Sequence, residues 1–202
     1  MNIAGLFPIP IGICKLPRLL TEDEINFVLE QETTNNDSNI SSKDNRILNH
    51  PRLNDIKTFC QESTDKFYKD IYAPKLNNWL TITQSWANYT HPGQFHHRHN
   101  HPNSFISGVM YIQANKNTDK IIFYNPEYEQ LRQLTDEYNI YNSESWFFEV
   151  ESGMLILFPS KLWHMVPTVD SMSNLRVSVA FNTFPLGILG SDIDLKEVVR
   201  TA

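Results

Sequence analysis

Apolar residues recur at helical spacing in the first third of the chain and at strand spacing beyond it, with the change near Trp79. Leu6 to Leu16 is rich in isoleucine but interrupted by Pro8 and Pro10. Proline cannot donate to a sheet ladder, so this segment reads as an edge strand or an extended arm. Thr21 precedes Glu24 by three residues, the pattern of a capping box, and Ile25, Val28 and Leu29 follow on one helical face. A helix over about Glu22–Gln31 is expected. Thr33 to Asn49 is dense in Asn, Asp and Ser and reads as a long, mobile loop. A second helix over about Leu53–Ile71 places Leu53, Ile56, Cys60, Phe67 and Ile71 near one face.

From Trp79 the period shortens to two. Leu80, Ile82, Gln84, Trp86 and Asn88 alternate with their neighbours as on a strand. Further strands are expected over Phe105–Gln113, with Gly108 inside it, and over Lys120–Tyr124, Trp146–Val150, Met154–Phe158, Leu162–Val166 and Arg176–Phe184. Glu127 to Ser143 reads as a polar, tyrosine-rich insertion with a helical turn. Short strands separated by turn residues point to a sandwich or barrel. The fold class is therefore α+β and mainly β, with N-terminal helices at about residues 20–72 and a β core at about 78–186. One domain over 1–202 is the expectation for this length.

Composition narrows the partners. The net charge of -6 gives no basic footprint for nucleic acid. No run approaches eighteen consecutive apolar residues, and the N-terminus lacks a basic region and a small-residue cleavage site. A cytoplasmic protein is expected. The two cysteines, Cys14 and Cys60, fit no metal or redox spacing and are expected to be buried thiols.

The chemistry concentrates in histidine. Five of the seven histidines, His91, His96, His97, His99 and His101, fall within eleven residues. Side chains at i and i+2 on a strand share a face roughly 7 Å apart, and two imidazoles at that distance can converge on one metal. His97/His99 and His99/His101 both meet this condition, and spacing does not choose between them. His164, after a buried-looking strand and a Pro-Ser turn, is the candidate third ligand. Arg176 and Ser178 share a strand face, while Val177, Val179 and Phe181 point the other way into a core. An interior arginine is costly without a partner. A dicarboxylate would satisfy it, since guanidinium and carboxylate match bidentately, and the Ser178 hydroxyl could donate to the same group. Asn182 continues that face, and Asn88 and Tyr111 are candidate pocket residues. A lone histidine is more often structural than a ligand, and Arg176 could pair with a scaffold acid; it is the joint order along one β-rich chain that favours a site. Trp86, Trp146 and Trp163 read as core or pocket wall.

At Ser85-Trp-Ala-Asn88, His99-Asn-His101-Pro-Asn-Ser104, Ser107-Gly-Val-Met-Tyr111, Phe123-Tyr-Asn-Pro126, Gly153-Met-Leu-Ile-Leu-Phe-Pro-Ser160, His164 and Arg176-Val-Ser-Val-Ala-Phe-Asn182, the chain resembles the iron(II)/2-oxoglutarate-dependent dioxygenases, in particular a family of bacteria and phages. The resemblance implies a double-stranded β-helix (jelly roll) with His99, His101 and His164 on iron(II). It implies Arg176 and Ser178 on the far carboxylate of 2-oxoglutarate, with Tyr111, Asn88 and Asn182 lining the pocket. The implied reaction is hydroxylation of an unknown prime substrate, a small molecule or a protein side chain, with release of succinate and CO2 in a bacterial or phage-infected cytoplasm. Most of the superfamily has Asp or Glu where His101 stands. Three neutral imidazoles predict weaker metal retention without 2-oxoglutarate and also suit zinc. A zinc-dependent hydrolase on a jelly roll and a non-catalytic cupin-like binding module are the competing readings. The former needs an acid to activate water, and no His-Glu-x-x-His motif is present. The segments Thr33–Asn49 and Glu127–Ser143 are candidate lids, and the edge segment Phe7–Pro10 could pair across a homodimer.

Overall fold

The computed structural model describes residues 1–75, 77–128, 134–170, 174–191 and 193–199, the side chain of Ser191 excepted. Its strands are β1 (Gly12–Lys15), β2 (Thr33–Asn35), β3 (Ile40–Ser42), β4 (Asn78–Thr90), β5 (His96–His99), β6 (Ile106–Gln113), β7 (Lys120–Tyr124), β8 (Ser145–Glu149), β9 (Met154–Pro159), β10 (His164–Val166), β11 (Arg176–Ser191) and β12 (Asp194–Val198). Two helices, α1 (Glu22–Leu29) and α2 (Asn54–Tyr72), lie between the first and fourth strands. A large sheet runs β1-β9-β6-β11-β4-β3-β2, with β12 paired to β11, and a smaller sheet runs β5-β10-β7-β8. This is a mainly β, jelly-roll-like arrangement preceded by helices.

The alternation along β11 explains the layering. Val177, Val179 and Phe181 are fully buried in one cluster with Val28, Ile56, Cys60 and Leu53, where the helices cover the outer face of the large sheet. Arg176, Ser178, Ala180 and Asn182 face the opposite way. There Ala180, Val109, Tyr111, Ile156 and Phe158 meet Ile121, Phe123 and Leu162 in a second core between the sheets. Gly108 lies opposite Phe181 in the ladder, and a Cβ on it would stand 2.2 Å from Phe181 Cζ. The glycine lets the phenyl ring lie against the backbone.

α1 begins as expected: Glu24 N–H donates to Thr21 Oγ1 at 3.2 Å and Thr21 N–H donates to Glu24 Oε2 at 2.8 Å, closing the capping box. Glu24 also receives Arg18 at 2.5 Å. α2 ends one residue beyond the expected Ile71, and Ile71 itself is exposed rather than on the buried face.

Thr33–Asn49 is the main correction. It holds a β2–β3 hairpin joined to β4 through Ile40↔Tyr89 and Ser41↔Asn88, then a short 3-10 turn at Ile47–Asn49. Ile47 and Leu48 are fully buried, and Leu48 N–H donates to Ser85 Oγ. The polar composition hid a segment that extends the sheet. The edge strand is Gly12–Lys15, paired to β9 on one side, while Phe7–Pro10 carries no ladder. The second insertion contains 129–133, so its expected helical turn falls partly outside the described residues. β12 was not foreseen. Both thiols are free, with Cys60 buried and Cys14 half-buried. No described helix is long and apolar enough to cross a membrane.

Candidate metal centre and anion pocket

β5 and β10 pair at one end of the small sheet with His99 directly opposite His164. His101 follows β5 in a turn whose backbone N–H donates to Ser160 O. One ligand atom from each of His99, His101 and His164 lies within 4.8 Å of the others. The structure thus brings together the three histidines of the His99/His101 alternative. Phe158 at 4.7 Å, Trp86 at 5.7 Å and Phe123 at 6.1 Å from the nearest of these rings, centroid to centroid, form an apolar floor.

Each ring is oriented through Nδ1. His99 Nδ1 lies 2.8 Å from His97 O, and His164 Nδ1 lies 2.9 Å from Leu162 O. A carbonyl only accepts, so both rings carry the proton on Nδ1 and keep the Nε2 lone pair for a cation. His101 Nδ1 lies 2.6 Å from Asn182 Oδ1, and Ser107 Oγ donates to the same oxygen at 2.9 Å. Ser107, Ser160 and Ser104 continue this network at 2.8 Å per step. Asn182, expected beside the anion pocket, therefore buttresses His101. Ser107 and Ser160 were not singled out in the sequence, although both stand in the motif text around them.

Burial, followed by the charge of neighbouring His99, pushes His101 down to about 4. Burial likewise lowers His99 and takes His164 well below the usual imidazole range. Neutral imidazole is the form that binds metal. Among the described residues no carboxylate joins this cluster.

Arg176 is 2% exposed at the start of β11. Its guanidinium carbon lies 5.1 Å from the centre of the Tyr111 ring. Thr90 stands opposite Arg176, and Asn88 and Tyr111 flank Ser178 on either side. Arg176 Nε, Tyr111 Oη, Asn88 Oδ1 and Thr90 Oγ1 are all buried without a hydrogen-bond partner. No acid pairs with Arg176 among the described residues. Four unsatisfied polar atoms on three adjacent strands are uncommon in a native interior, and an anionic oxygen pair would satisfy the donors among them. Thr90 continues the inward alternation of Trp86 and Asn88, which is the signal that could have found it.

Outside the triad, Arg98 lies 3.8 Å from the Tyr124 ring centroid and 5.6 Å from that of Trp163. Trp163 and Trp146 are about two-fifths exposed, 42% and 39%, so they belong to the surface rather than to the core. Trp86 packs against the inter-sheet core as expected. His96 is buried and stacks on His99 at 4.4 Å, a placement the two-residue spacing argument did not anticipate.

Residues 84–182 match a family model described as "Putative 2OG-Fe(II) oxygenase", and that span contains every residue of the two clusters above. The fold resembles an oxidoreductase of the 2OG-Fe(II) oxygenase family from Burkholderia pseudomallei at 14% identity and a TM-score of 0.57, covering 85% of this chain and 84% of that one. It also resembles HygX from Streptomyces hygroscopicus, solved with nickel, 2-oxoglutarate and hygromycin B, at 10% identity and a TM-score of 0.56, covering 87% and 82%. Comparison with curated proteins finds no match.

Proposed function

We propose, from the premise that residues 84–182 belong to the 2OG-Fe(II) oxygenase family, that His99, His101 and His164 hold iron(II) and that Arg176 binds the far carboxylate of 2-oxoglutarate, with hydroxylation of a prime substrate as the outcome. The observation that carries this reading is the pairing of a three-imidazole cluster with a buried arginine that has no acid partner among the described residues and whose Nε is unsatisfied. Iron(II) and 2-oxoglutarate together supply oxidation by dioxygen, with succinate and CO2 as coproducts.

The chain's own residues do the rest. Arg176 offers a charge-assisted, two-pronged contact that fixes the cosubstrate's far end. The Ser178, Tyr111 and Thr90 hydroxyls donate to the same carboxylate, and the Asn88 amide borders it. The carbonyls of His97 and Leu162 and the amide of Asn182 hold the three rings with Nε2 forward. Phe158, Phe123 and Trp86 keep water from the protein side of the cluster and so strengthen electrostatic contacts there. With three neutral imidazoles the ion keeps its full charge, and the dianionic cosubstrate is the group that balances it.

Adding iron(II) and 2-oxoglutarate to the protein without oxygen should give a weak visible absorption band, and admitting air should then give succinate. Absence of both, with zinc copurifying, would sink this reading in favour of a zinc site. Among the described residues no carboxylate joins the cluster to serve as the general base that a zinc hydrolase of the His-Glu-x-x-His kind uses.

A further inference from the structure

The structure holds two histidine triangles of one size that share a corner. The ring centroids of His99, His101 and His164 stand 4.3, 5.0 and 5.2 Å apart. Those of His96, His97 and His99 stand 4.4, 5.1 and 5.1 Å apart. In each set one ligand nitrogen per residue lies within 4.8 Å of the other two.

A bulge creates the second triangle. Between the paired positions His164↔His99 and Val166↔His96, β10 advances two residues and β5 advances three. In a regular strand His96 and His99 would point to opposite faces. The extra residue returns His96 to the face of His99, and His96 is accordingly buried and stacked on it. His97 contributes a second, independent observation. Its Nδ1 is buried with no hydrogen-bond partner; with the ring proton on Nε2 it offers a lone pair that a cation would satisfy.

The shared corner makes the triangles alternatives. His99 Nδ1 is held by His97 O, so Nε2 is its one free lone pair, and one lone pair serves one ion. We propose that His96, His97 and His99 form a second site for an imidazole-preferring divalent cation such as Zn2+, and that filling it withdraws His99 from the first triangle. Three neutral nitrogens with water as the fourth ligand suit a tetrahedral zinc. The half-buried His97 and His99 leave a path for its entry. The site itself stands on geometry alone. Its consequence, inhibition of turnover by excess zinc, rests on the oxygenase reading above.

The test is a competitive zinc titration of the metal-free full chain against a chromophoric chelator, with circular dichroism checking the fold. The wild type is expected to bind one zinc tightly. His164→Ala and His97→Ala are each expected to keep one zinc, within about tenfold of wild type, because each leaves one triangle whole. The double variant is expected to lose at least a hundredfold, in line with removal of a ligand from every available set. If His164→Ala alone falls as far as the double variant, the second triangle is not a site. Two tight zinc ions on the wild type would overturn the sharing of His99. Should His164→Ala not fold, His101→Ala removes a different corner of the first triangle and carries the same expectation. Failure of all forms to produce succinate would defeat the oxygenase reading while leaving the zinc titrations to decide this one.

Discussion

Asn182 Oδ1 stands 2.6 Å from His101 Nδ1, across 81 residues of chain. The partner of the ring is a neutral amide rather than a carboxylate. In the proposed assignment His101 would be a metal ligand backed by a neutral amide.

That relationship predicts the effect of changing the amide. Asn182→Ala should weaken binding of a divalent ion by about 10- to 100-fold, the usual cost of losing a partner of a metal-bound histidine. Asn182→Asp keeps the acceptor, adds negative charge and should bind at least as tightly as wild type. Competition titration with Ni2+ or Zn2+ reads both. Equal affinities for all three proteins would mean that Asn182 does not tune His101.

Arg176 makes opposite demands on stability and binding. A buried guanidinium with no acid among the described residues is destabilising, so Arg176→Met should raise the thermal midpoint of the ligand-free protein. The same change should weaken 2-oxoglutarate binding by about a hundredfold, corresponding to two charge-assisted hydrogen bonds of about 1.5 kcal/mol each. Metal affinity should stay within a few-fold. Calorimetry with 2-oxoglutarate and a thermal scan check the two halves separately.

Gly108 is a steric requirement of the large sheet. In Gly108→Ala the new methyl would stand 2.2 Å from Phe181 Cζ, in a region where Phe181 is fully buried. Overpacking of this kind costs about 1–3 kcal/mol. Urea unfolding should show a lower midpoint with an unchanged slope, and Gly108→Ala/Phe181→Leu should recover part of the loss.

Metal-free protein should lose stability on acidification, starting near pH 6.5. Burial, together with neighbouring positive charge, pushes His96 down to about 3 and His101 down to about 4, and His99 and His164 are lowered as well. As pH falls below the ordinary imidazole value of 6.5, the unfolded chain takes up protons before the folded one does. Stability is therefore complete above pH 6.5 and declines between there and about pH 4 to 3. Chemical unfolding of the metal-free protein at a series of pH values measures this. A flat profile between pH 7 and 4.5 would contradict the burial of these rings.

Much of this was readable from the chain. Periodicity located both helices and seven strands, because burial on one side imposes its period on any helix or strand that lies against a core. The Thr21/Glu24 pattern predicted the capping box because a cap is local chemistry. Residues 33–49 were misread for the converse reason. Their strands are three residues each, β2 exposed and β3 half-buried with polar residues, so the ladder to β4, a non-local contact, stabilises them without an apolar signature in the sequence.

The sequence by itself determined the inventory of the site: histidines in one short run, a later histidine, and an arginine in phase with a serine and an asparagine. Residue type and strand parity are local properties, and they sufficed to put Arg176 and Ser178 on one face. Only the tertiary structure decided which nitrogens converge. The pairing of His99 with His164 depends on strands 65 residues apart in sequence meeting in register. The placement of His96 depends on a one-residue bulge that reverses the expected parity. Asn182 faces His101 because the ladder β4–β11–β6 carries it past Ser107 rather than leaving it beside Arg176. A bulge or a register shift leaves composition and period unchanged, yet moves a side chain to the other face, so such assignments lie beyond what a linear pattern can carry.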